Sequence, residues 1–212
     1  MKRLYKYLFL LAFILSSGGA RADSYADMLK AVRMNYGSDV VALLKKGVDV
    51  NTATQEGETL LMLASKEGHV NIVKTLLSAK ARVAARNTFG ETALMLAALR
   101  GHIDVVKLLM AEGAAIDNEG WTPLIYAAAK NNVDIMKLLL AKGAKVDAVA
   151  QNGTTALMMA AREGQLQALL LLMENGANVS YKSVDGYSAL GIARQREKIE
   201  IARILTKAGA KE

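Results

Sequence analysis

Residues 90–110 read GETALMLAALRGHIDVVKLLM, and the same pattern recurs on either side of them. It stands at 57–77 as GETLLMLASKEGHVNIVKTLL and at 120–140 as GWTPLIYAAAKNNVDIMKLLL. Further on it reads GTTALMMAAREGQLQALLLLM at 153–173 and GYSALGIARQREKIEIARIL at 186–205. The leading glycines are 33, 30, 33 and 33 residues apart. A period near 33 with a T-x-L-x-x-A core marks a helical repeat array.

Within the unit that starts at Gly90, each residue type has a local reason. The Thr92 hydroxyl suits a helix N-cap, and Ala93, Leu94, Leu96, Ala97 and Ala98 supply a face for neighbouring helices. Gly101 fits a left-handed helix end, where a missing Cβ avoids strain. A second helix is expected from near Asp104, whose carboxylate favours a helix N-terminus. Its apolar stripe is Val105, Val106, Leu108 and Leu109. Gly113 ends it, and an extended turn leads to the next unit. Neither helix can bury its apolar side alone, so stability must come from stacking.

The segments G-x-T-x-L-x-x-A-A, G-H-x-x-V-V-x-x-L-L and G-A-x-V resemble the ankyrin-repeat family over residues 23–212. The resemblance implies an all-α repeat solenoid of about six helix-turn-helix units joined by β-hairpin-like turns. The expected units are 23–56, 57–89, 90–119, 120–152, 153–185 and 186–212. The first is degenerate, and its Asp27, Lys30 and Arg33 suggest a solvated outer face. The last carries Arg196, Glu197, Lys198, Glu200 and Arg203 where internal units favour contact residues, so both ends are expected to be capped.

Three departures from the family pattern stand out. The T-P-L-H box has its proline only at Pro123, and Met62, Met95, Ile125, Met158 and Gly191 replace its histidine. The loop network should therefore be made differently, with the methionines as packing residues. Lys80 occupies the slot of Gly47, Gly113, Gly143, Gly176 and Gly209. The turn between Gly113 and Gly120 is three residues short, which should notch the surface it lines.

Residues 1–22 read as a cleaved export signal. Lys2, Arg3 and Lys6 precede the nine-residue apolar run from Tyr7 to Leu15, and Ala20-Arg21-Ala22 fits a signal peptidase site. A membrane-spanning helix needs about 20 apolar residues, so no stable membrane insertion is expected after cleavage. Export places the mature chain, from Asp23, outside the cytoplasm, in the periplasm first and secreted as the alternative. The whole chain carries a net charge of +7. The leader holds four of its 27 basic residues and no acid, leaving 23 bases against 20 acids. That balance provides no concentrated basic stripe and argues against nucleic acid as a partner. Cysteine is absent, so packing alone must hold the fold.

Catalytic chemistry finds little support. The two histidines, His69 and His102, share one slot of successive units, about 10 Å apart in a helix stack, and fit backbone hydrogen bonding better than metal ligation. No G-x-S-x-G elbow, phosphate loop or dinucleotide motif is present. No cofactor and no metal are expected, and the chain reads as a non-enzymatic protein-protein interaction scaffold. The family resemblance implies a concave partner-binding surface formed by hairpin tips and first helices. Carried onto this sequence, the surface comprises Phe89, Glu91, Trp121, Thr154 and Tyr187 at the tips. Leu99 and the bases Lys66, Arg100, Lys130, Arg162 and Arg194 supply the helix ends. Aromatics with arginine are favoured interface anchors, and a row of bases implies a protein partner with acidic surface groups. A secreted effector acting on another cell is the alternative.

Overall fold

The computed structural model describes residues 24–117 and 119–211. The leader expected over 1–22 and the mature start at Asp23 lie outside the described residues. The architecture is an all-α repeat solenoid. Its helices are α1 (24–33), α2 (Gly37–Lys45), α3 (Leu60–Glu67), α4 (Val70–Ser78), α5 (Ala93–Arg100) and α6 (Ile103–Ala111). They continue as α7 (Pro123–Ala129), α8 (Val133–Ala141), α9 (Ala156–Glu163), α10 (Leu166–Glu174), α11 (Ala189–Gln195) and α12 (Ile199–Lys207). Among the described residues none of these is long and apolar enough to cross a membrane.

Helices this short are marginal in isolation, and two features fix them here. The first is a buried N-cap: the side chains of Thr59, Thr92, Thr122, Thr155 and Ser188 accept from the backbone N–H three residues on. The second is stacking. Each odd-numbered helix from α3 to α11 packs on the next odd-numbered one, and the even-numbered helices form an outer layer. One continuous apolar cluster runs from Met28 to Leu205. Val105, Val106 and Leu109 are fully buried in it, whereas Leu108 is only partly covered.

The substituted T-P-L-H histidine is replaced by sulfur chemistry in two units. The N–H groups of Thr59 and Thr92 each donate to a methionine Sδ, of Met62 and Met95, at 3.4 Å. Thioether sulfur is a weak acceptor, so these side chains act mainly as buried packing, with a small polar contribution.

Adjacent units are stitched by a ladder at the slot following the first helix. His69 Nε2 lies 3.3 Å from the Arg33 carbonyl oxygen, and His102 Nε2 lies 3.0 Å from that of Lys66. Asn132 donates to the carbonyls of Ala98 and Leu99, and Gln165 to that of Ala129. A carbonyl only accepts, so each histidine must carry its proton on Nε2. The histidines are therefore backbone ties between units. The ring of His102 also sits 2.5 Å from where a Cβ on Gly68 would lie, at φ +75°, which restricts that position to glycine.

The connecting turns are hairpin-like without forming strands. Among the described residues two isolated bridges occur, Ala53 with Thr59 and Lys182 with Ser188. Thr54, Asn87, Ala150 and Ser183 donate their N–H groups to the carbonyls of Glu58, Glu91, Thr154 and Tyr187, closing four equivalent loops. Neighbouring tips are tied where Thr88 donates to Glu56 O and Val184 to Asn152 O, each at 3.0 Å. The short turn before Gly120 is tied to the next unit through Asp117, whose carboxylate oxygens lie 3.3 and 3.1 Å from the Lys145 N–H that donates to them.

Two end features differ from expectation or sharpen it. The first helix buries Met28, Ala31 and Val32 and exposes Asp27, Lys30 and Arg33, as a capping helix should. At the other end Ile199 is 73% exposed, while its counterparts Val70, Ile103, Val133 and Leu166 are half-buried under the following unit. Polar neighbours therefore cap the last unit incompletely.

Lys80 adopts φ +66°, beside +81° to +89° at Gly47, Gly113, Gly143 and Gly176. A side chain in that region is strained by roughly 1–2 kcal/mol, while glycine adds some freedom to the unfolded chain. Lys80→Gly is therefore expected to raise stability by roughly 1 kcal/mol. A urea midpoint that stays put or falls would count against it.

Candidate partner-binding surface

The first helices and the tips before them share one face, and three contacts define it. Counted from each N-cap, the residue before it, the fourth after and the seventh after come together. In the second unit Glu58 and Lys66 pair at 3.1 Å across this face. In the fourth, Trp121 packs on Tyr126 with ring centroids 5.6 Å apart and planes at 54°. Between the third and fourth, the Tyr126 hydroxyl donates to Glu91 Oε1 at 2.8 Å.

Glu91 is positioned from both sides. The buried Asn87 amide accepts at Oδ1 from the N–H groups of Phe89 and Glu91 and donates through Nδ2 to Glu91 Oε2 at 2.7 Å. One asparagine thus fixes both the tip backbone and the carboxylate. The tyrosine's phenol is held well above its ordinary pKa, first by burial and then by its bond to the anionic Glu91. It therefore stays a donor throughout the ordinary pH range. On the neighbouring tip, the exposed Glu56 carboxyl is lowered, chiefly by a hydrogen bond from Thr54.

Phe89 sits one residue before its tip glycine and is 74% exposed. Trp121 is half-buried against the core, and Tyr187 is 50% exposed two units further along. The structure therefore brings Glu91 and Trp121 together through Tyr126, while Tyr187 and the half-buried Thr154 belong to later units. Leu99 is half-buried on the same face.

The expected row of bases is not one row. Lys66 and Arg162 stand seven residues after their caps, Arg100 and Lys130 eight, and Arg194 six. Successive positions on a helix differ by about 100°, so these side chains leave in three directions. Lys66 is already paired with Glu58, and Arg162 lies 3.7 Å from Glu163. Only Arg100 and Lys130, both exposed, are in register in adjacent units.

Tyr126 was missed by the sequence reading. Its slot holds Leu63, Leu96, Met159 and Ile192 elsewhere, so one hydroxyl-bearing aromatic among aliphatics was the available signal. A separate groove of about 700 Å³ lies between α8 and α10, lined in part by Asn132, Asp134, Lys137, Gln167 and Leu170. It contains none of the residues expected at the surface. Among the described residues no three histidine, aspartate or glutamate side chains converge as a metal site would require.

Comparison with known proteins agrees with the repeat fold. The chain is similar, at 26% identity and TM-score 0.77, to the crystal structure of the human ASB11 ankyrin repeat domain, over 87% of this chain and 84% of that one. It is also similar to a chain in the complex of the predatory endopeptidase Bd0816 from Bdellovibrio bacteriovorus with immunity protein Bd3460. There the identity is 31% and the TM-score 0.75, over 85% of this chain and 97% of that one. No curated protein matches the sequence. The family model for ankyrin repeats matches three times, at 28–116, 80–150 and 145–212. Matched along nearly all its described length, the chain belongs to the ankyrin-repeat family.

Proposed function

We propose that this chain is a non-enzymatic scaffold, exported by its leader, that holds a partner protein on the face made by its hairpin tips and first helices. The observation that carries the reading is Phe89. A phenylalanine 74% exposed serves no packing purpose in the stack, and beside it stands the pre-ordered Glu91–Tyr126–Trp121 group. Rigid aromatics held in place by such contacts form the kind of anchor that dominates protein interfaces. Arg100 and Lys130 give that face two aligned cations for acidic groups of the partner. The similarity to a chain of the endopeptidase–immunity protein complex supports a partner that is itself a protein.

Crosslinking pull-down from the extracytoplasmic fraction tests the placement. The combined variant Phe89→Ala, Trp121→Ala and Tyr187→Ala should capture its partner at least roughly tenfold less well. Undiminished capture would move the site elsewhere. Fractionation tests the location: accumulation in the periplasm agrees with a resident scaffold, and accumulation in the medium favours an effector instead.

A further inference from the structure

We propose that Glu91 is the receptor for a basic side chain of the partner, an arginine or lysine set beside an apolar residue that rests on Phe89 and Trp121. This rests on the reading of the tip-and-helix face as the binding surface, and adds the chemistry of its occupant. The argument begins with what surrounds the carboxylate. Glu91 is half-buried, and its two oxygens each accept one bond from a neutral donor, Asn87 Nδ2 and the Tyr126 hydroxyl. It takes no part in the ion pairs among the described residues. The nearest base along the chain, Arg86, instead donates to the Gly90 carbonyl at 2.8 Å.

A carboxylate offers about four acceptor positions, so each oxygen keeps capacity for one more donor. The two neutral bonds hold the group's orientation without cancelling its charge. An oriented half-buried anion is matched by a cation, because charge-assisted bonds are about twice as strong as neutral ones. The counterpart in the second unit shows what this face does with such a carboxylate: Glu58, in the same slot, is satisfied by Lys66. In the third unit the position equivalent to Lys66 is Leu99, so the intramolecular cation is replaced by an apolar floor. A partner's cation fits the place that Leu99 leaves unfilled.

The wider field agrees. In the two central units the tip edge carries Glu91 and the exposed Glu119, and the far ends of the first helices carry Arg100 and Lys130. Helix α5 is eight residues long, which sets the two groups of backbone positions about 12 Å apart along the helix axis. The face is thus charge-separated, and it selects a partner segment with a base toward the tips and acids toward the helix ends.

The test is to pan a phage-displayed random dodecapeptide library against the whole chain, against Glu91→Gln and Glu91→Lys, and against the triple aromatic variant. Circular dichroism of each protein checks that its helices are retained. Peptides selected on the native chain should share a lysine or arginine. Their affinity should fall about tenfold on Glu91→Gln, and selection on Glu91→Lys should turn toward acidic peptides. Tyr126→Phe, which keeps the charge, should retain the basic preference. Peptides that need the three aromatics but share no base would overturn this inference and leave the binding face standing. Peptides indifferent to both the aromatics and Glu91 would overturn the face and the inference together.

Discussion

Gly153→Val is expected to lower the unfolding free energy by about 3 kcal/mol, because two separate penalties meet at that residue. Its φ is +77°, and a Cβ there would lie 2.8 Å from Val184 N and 3.0 Å from Ser183 Cα. The obstacles are main chain, which cannot rotate aside. Val184 N–H is also the donor to Asn152 O that ties the turns before Gly153 and Gly186, so relief of the clash would break that tie. Gly143→Val supplies the comparison: φ is +89° with nothing within 4 Å, leaving only the backbone strain of roughly 1–2 kcal/mol. Urea titrations followed by circular dichroism measure both. Equal losses at 143 and 153 would show that the turns do not approach as closely as described.

Leu109→Ala should cost a similar amount, about 3 kcal/mol, with a different signature. Leu109 is fully buried on α6, in the third of six units, where the outer layer contacts both α4 and α8. The lost side chain leaves a cavity that stacked, cap-fixed helices can close only partly. In a quasi-one-dimensional array each unit is held by its neighbours. A defect in the middle therefore weakens coupling between the two halves as well as total stability. The thermal transition should broaden or split into two steps, whereas a surface change such as Lys107→Ala should leave it single. A sharp, undisplaced transition in Leu109→Ala would contradict the stacking.

What could be read in advance was whatever repeats. The caps, the helix-ending glycines, the strained Lys80 and the backbone role of the histidines all follow from one unit laid over another, since each is a local contact repeated by translation. What escaped depended on contacts between units or on exact register. Tyr126 meets Glu91 across 35 residues of sequence, and only the stacking distance makes that reach fit. The bases were grouped by charge, although one residue of offset turns a side chain by about 100°. Arg100 and Lys130 survive as an aligned pair; Lys66, Arg162 and Arg194 do not join them. The aromatic set divided for a similar reason: Trp121 follows its tip glycine and turns down onto Tyr126, whereas Phe89 precedes its own and stays out in solvent.

Trp121 is the only tryptophan in the chain, and it lies 5.6 Å from the ring of Tyr126. Its fluorescence consequently reports on the fourth unit and its junction with the third, and is blind to the ends. Far-ultraviolet ellipticity averages over every helix. Overlaying the two melting curves on one sample measures how far the middle of the rod outlasts its tips, with no label attached.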